Sequence, residues 1–87
     1  MALAVVLHPV RDYQEWRNVY DSVGKMQRAG GVTAESVHRL ASDPNMVLVL
    51  HHFDTVAEAE AFMAQPDLQA AMAQAGVTAL PRIEIFS

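Results

Sequence analysis

Four histidines, His8, His38, His51 and His52, are the side chains in this sequence best suited to handling protons. Imidazole titrates near neutral pH and can serve as base, acid or ligand. The absence of cysteine removes disulfides, thiolate metal sites and a thiolate nucleophile together. No serine sits in a nucleophile-elbow pattern. Gly30-Gly31 lacks the further glycines and the preceding buried strand of a dinucleotide fingerprint. A histidine pair beside aromatic rings can bind a phenolic or enolic molecule and deprotonate it. The resulting carbanion can react directly with oxygen or be reprotonated in an isomerisation.

The elements that must position these residues follow from the apolar pattern. Leu3 to Val10 is nearly continuous in apolar and β-branched residues, the pattern of a strand buried on both faces. Asp12 with Glu15 forms a capping-box pattern. Tyr13, Trp16, Val19, Tyr20, Val23 and Met26 then recur at helical spacing, which predicts an amphipathic helix of about four turns ending at Gly30-Gly31. Val32 to Ala41 alternates as an edge strand does. Ser42 to Asn45 reads as a turn around Pro44. Met46 to Phe53 is a second continuous apolar strand. Thr55 with Glu58 caps a second helix carrying Val56, Ala59, Phe62 and Met63, which Pro66 interrupts before Leu68, Ala71, Met72 and Ala75 resume it. Gly76 suits a C-terminal cap, and Leu80 to Phe86 is the last strand.

The order is βαββαβ in one domain, residues 1–87. A ferredoxin-like α+β sheet with both helices on one face is expected, its first and third strands central and antiparallel apart from that central pair. Helices cover one sheet face only, yet Leu3, Val5 and Leu7 are apolar as well as Ala4 and Val6. The same holds for Val47 and Val49 beside Leu48 and Leu50. A second subunit is the simplest cover for the open face, so a homodimer through the sheet is expected. A chain of 87 residues also has much to gain from association, because small domains bury a modest share of their surface.

A turn at Ser42 to Asn45 would set Ala41 opposite Met46, hence His38 opposite Val49 and Ser36 opposite His51. His38 and His51 would then share a face with Phe53, as diagonal neighbours lining a cleft walled by Trp16, Tyr20, Phe62 and Met72. This makes His38 and His51 the candidate catalytic pair. His52 would point the other way, opposite Glu35, in a cross-strand pair. Successive strand residues face opposite ways, so the His51-His52 doublet cannot easily hold one ion. A third ligand beside His38 and His51 is not evident, and no metal is expected. Core packing is the rival reading for Trp16, Tyr13 and Tyr20, as simple hydrogen bonding is for the histidines. His8 ends the first strand, toward the cleft mouth.

The DYQEW run at Asp12 to Trp16, the turn Asp43-Pro44-Asn45, the segment AEAEAFMAQPDL and the Ala75-Gly76-Val77 approach to the last strand together resemble the dimeric α+β barrel superfamily. The sequence is similar to its small antibiotic biosynthesis monooxygenase-like and cyclase-like members over nearly its whole length. The resemblance implies a ligand cleft between helices and sheet. It also implies activities such as cofactor-independent oxygenation, isomerisation or cyclisation of a hydrophobic aromatic or polyketide-like substrate. It assigns no catalytic residue, and a non-catalytic ligand-binding, structural or stress-response dimer stands as the alternative.

A net charge of −4 and a pI of about 5.4 give no electrostatic reason to bind nucleic acid or anionic lipid. Met46 to His52 has none of the aromatic and basic residues with which βαββαβ RNA-binding domains stack bases. No apolar stretch approaches the roughly 18 residues of a membrane span, and Met1 to His8 lacks a basic leader region. A cytoplasmic location is the expectation.

Overall fold

Alternation along the first strand sets the architecture. The computed structural model describes all 87 residues, Met1–Ser87. In β1 (Ala2–Pro9), Ala2, Ala4, Val6 and His8 are buried, while Leu3, Val5 and Pro9 are half-buried and Leu7 is exposed. One face thus lies under the helices and the other is open. β1 is followed by α1 (Tyr13–Ser22), α2 (Gly24–Ala29), β2 (Ala34–Leu40), β3 (Asp43–Phe53), α3 (Val56–Met63), α4 (Pro66–Gln74) and β4 (Arg82–Phe86). No helix is long and apolar enough to cross a membrane.

The strands are ordered β2-β3-β1-β4, with β1 and β3 central as expected. Every neighbouring pair is antiparallel, β1 with β3 included, which corrects the expected exception. The helical crossover from β1 returns β2 in the same direction as β1. The hairpin then reverses β3 between them, so β3 must oppose β1.

The expected four-turn first helix is two helices. Ser22 donates from its hydroxyl to the Val19 carbonyl at 2.6 Å, a back-bond that bends helices. Gly24, from a poorly helix-forming residue type, starts α2 after a kink at Val23. The caps form as read: Asp12 accepts from the Glu15 amide at 2.9 Å and Thr55 from the Glu58 amide at 3.1 Å. Gly30-Gly31 is needed for two reasons. A Cβ on Gly30 would overlap the Phe62 ring, and Gly31 has φ +98°, a left-handed conformation that suits glycine. Gly76 follows the cap of α4 with φ +85°.

The core lies between the helices and the sheet. Phe53, Phe62, Val47, Ala4 and Ala59 are almost wholly buried there, with Trp16, Val6 and Val49 beside them. At about 1.5–3 kcal/mol for each large apolar side chain buried, this cluster is the main favourable term in folding. The open face carries Leu3, Val5, Met46, Leu48 and Leu50 half-buried, and Leu40 and Phe86 exposed.

The hairpin differs from expectation in a way that matters. Its turn is Ala41-Ser42, with Leu40 opposite Asp43. A register shift follows between Arg39 and Leu40, leaving Pro44, Asn45 and Met46 without counterparts on β2. Pro44 has no N–H for the ladder, so an irregular step is where it fits. Its carbonyl instead accepts from Nε of Arg39 at 2.9 Å. Beyond the bulge Glu35 opposes His51, Ala34 opposes His52 and His38 opposes Leu48. Each pairing is one residue away from the expected one.

Candidate functional site

A one-residue shift turns β2 over relative to β3. His38 leaves the helix-covered side and lies exposed on the open face, its Nε2 3.0 Å from the Ser36 hydroxyl. It does not meet His51, and the expected histidine pair does not form. Glu35, expected opposite His52, comes to the helix side beside His51.

His51 is 4% exposed. Its neighbour across the ladder on β1 is Ala4, whose small side chain leaves room for the imidazole. Tyr20 reaches down from α1 and donates its phenol proton to Oε1 of Glu35 at 2.5 Å. The same phenol oxygen lies 3.2 Å from Nε2 of His51. The single phenol proton is committed to the carboxylate, so Nε2–H of His51 is the donor in the second bond. The imidazole is thereby held as the Nε2–H tautomer. Nδ1 carries the lone pair and is buried without a hydrogen-bond partner.

Electrostatics fit this assignment. Burial lowers the pKa of His51 to about 4, against a smaller opposing pull from the Glu35 charge. The ring is therefore neutral at pH 7 and able to accept a proton. Tyr20 is pushed well above its ordinary value, first by burial and then by its bond to Glu35 and that residue's charge. It stays protonated, which makes it a link rather than a base.

The groups line an apolar cavity between sheet and helices. Its floor includes Val6 and Val49, and Trp16 and Tyr20 are stacked above with ring centroids 4.9 Å apart. His8 and Gln27 add buried polar groups to the lining. Of the expected wall, Trp16, Tyr20 and Met72 line the cavity. Phe62 does not; it packs behind, with its ring 5.7 Å from that of His51. The cavity is about 50 Å³, enough for water but well below the roughly 150 Å³ that accepts benzene. A second groove of about 410 Å³ runs along Val77, Ala79, Leu80 and Ile83. Met63 and Met72 line both spaces, and methionine repacks readily. No three His, Asp or Glu side chains come together as a metal site would need.

Sequence reasoning carried His8 only as far as the cleft mouth, and it missed Glu35 as the partner of the Tyr20 phenol. His8 was within reach, since it continues the period-two face of Ala4 and Val6. Glu35 depended on the bulge.

Sheet order and a helix-covered cavity define a ferredoxin-like α+β domain with a small apolar space under its helices. More narrowly, the chain has the fold of the antibiotic biosynthesis monooxygenase-like proteins. A Bordetella bronchiseptica protein provisionally named an antibiotic biosynthesis monooxygenase matches it with a TM-score of 0.82 at 13% identity, over 99% of this chain and 94% of that one. SnoaB from Streptomyces nogalater, a cofactor-independent oxygenase, matches with a TM-score of 0.79 at 14% identity, over 99% of this chain and 90% of that one. A conserved protein from Methanosarcina mazei Go1 matches with a TM-score of 0.77 at 15% identity, over 99% and 91%. At these identities the likeness is one of fold. No protein-family model and no curated protein sequence matches the chain.

Proposed function

We propose that this protein binds a hydrophobic aromatic or enolic molecule under its helices and acts on it as a cofactor-independent monooxygenase, with His51 as the base. The observation that carries the reading is Nδ1 of His51, a buried lone pair without a partner in an imidazole oriented through Tyr20 by Glu35. The three residues form a relay of the kind that positions a base. Nδ1 would take a proton from an activated CH2 group of the substrate. The carbanion adds oxygen to give a peroxide anion, which recovers the proton from His51 as a hydroperoxide. Loss of water leaves a carbonyl where the CH2 stood. Burial opposes the charge separation, and the Glu35 carboxylate, linked to the ring through Tyr20, offsets part of that cost by favouring the imidazolium.

Two copies would pair through the open face, where Leu3, Val5, Leu48 and Leu50 form an apolar centre. The second reading, binding without turnover, is favoured by the low basicity that burial gives His51. Oxygen uptake with anthrone, whose CH2 is acidified by its flanking rings and carbonyl, separates the two. Uptake that falls about 100-fold or more in His51→Phe supports the base. Saturable binding with no uptake above the buffer rate would leave a binding protein.

A further inference from the structure

We infer that His8 is a second ligand-binding residue, and that the molecule taken up carries a hydrogen-bonding group at each end of a flat apolar body. The inference rests on the binding reading above and names the class of ligand.

His8 is 2% exposed, and its Nδ1 is buried with no hydrogen-bond partner. Its surroundings supply none: Trp16 meets it edge-on at 5.6 Å between centroids, and Val47 stands opposite on β3. An orphaned buried ring nitrogen is unfavourable, and a leucine or phenylalanine would pack here without that cost. The position therefore makes sense if a polar group arrives from the cavity, which His8 lines.

The placement defines that group's partner. His51 lies opposite Ala4, and His8 is four residues further along the same strand and on the same face. Four residues of strand span roughly 13 Å. Between the ends the Val6–Val49 rung is the floor, and the rings of Trp16 and Tyr20 stand in a row from His8 to His51, at centroid steps of 5.6, 4.9 and 6.2 Å. Both ends are imidazoles with a free Nδ1, and the row of rings gives the cavity one long aromatic wall. Space for such a molecule comes from displacing Met63 and Met72 toward the adjoining groove.

Calorimetry with the whole protein tests this, using the naphthalenediol with hydroxyls at opposite ends and the naphthol with only one. The diol should bind about tenfold more tightly, the effect of one added buried hydrogen bond. His8→Phe should abolish that preference, so that diol and naphthol bind within about twofold of one another. The comparison of two ligands on the unaltered protein needs no variant, so it stands even if His8→Phe folds poorly. Equal affinities, as expected if a single water serves His8, or a preference that survives in a folded His8→Phe, overturn the inference while leaving the binding reading intact. Binding of neither probe would overturn both.

Discussion

Glu35 and His51 face each other across the β2–β3 ladder and are joined through one phenol, that of Tyr20. Removing the phenol in Tyr20→Phe leaves the buried Nε2–H of His51 without its acceptor, while the exposed Glu35 returns to water. The expected loss is about 1–3 kcal/mol, read by urea denaturation. Nitrogen NMR should show the His51 tautomer preference weakened. A variant as stable as the parent, with the tautomer unchanged, would show that the phenol does not hold the ring.

Acid should destabilise the protein through its buried histidines. His51 has an ordinary pKa of 6.5 in the unfolded chain and about 4 when folded. Between those values the unfolded state binds a proton that the folded state refuses, so stability is full above 6.5 and declines as pH falls toward 4. The slope is about 1.4 kcal/mol per pH unit, for a total of roughly 3 kcal/mol. Burial lowers the pKa of His8 also, which adds in the same direction. Thermal melts across this range should flatten in His51→Phe. An unchanged slope in that variant would place the acid sensitivity elsewhere.

The open sheet face can be tested at its centre. Leu50 is half-buried on that face and opposes Val5 on β1. Placing a charge there in Leu50→Glu would desolvate a carboxylate in any sheet-to-sheet dimer. Sedimentation should give a dimer for the parent and a monomer for the variant, and the parent's Tm should rise with concentration. A parent that sediments as a monomer at micromolar concentration would rule out this association.

Gly30 and Gly31 predict a graded pair of losses. Gly30→Ala drives a methyl into the Phe62 ring, an overpacking of about 1–3 kcal/mol. Gly31→Ala meets a φ of +98° and the Glu58 side chain, which costs about 1–2 kcal/mol. Because Phe62 packs behind His51, only Gly30→Ala should also disturb the His51 NMR signals. Equal disturbance from both would mean that the Phe62 wall does not transmit strain to the site.

The residues themselves determined the element order, both N-caps, the paired glycines at the end of the first helical layer and the two central strands. Each depends on neighbours within a few positions or on a simple pattern, as with Asp12 and Glu15 or the nearly continuous apolar run of Leu3 to Val10. Direction followed from the crossover and hairpin once they were drawn in three dimensions. Register did not, because it hinged on the step between Arg39 and Leu40. A strand presents a new face with each residue, so one irregular step exchanged His38 for Glu35 beside His51. The site is made by β2, β3 and α1 together. Tertiary structure alone decided which carboxylate, phenol and imidazole would meet, because their contact depends on where the bulge falls and how far Tyr20 reaches over it.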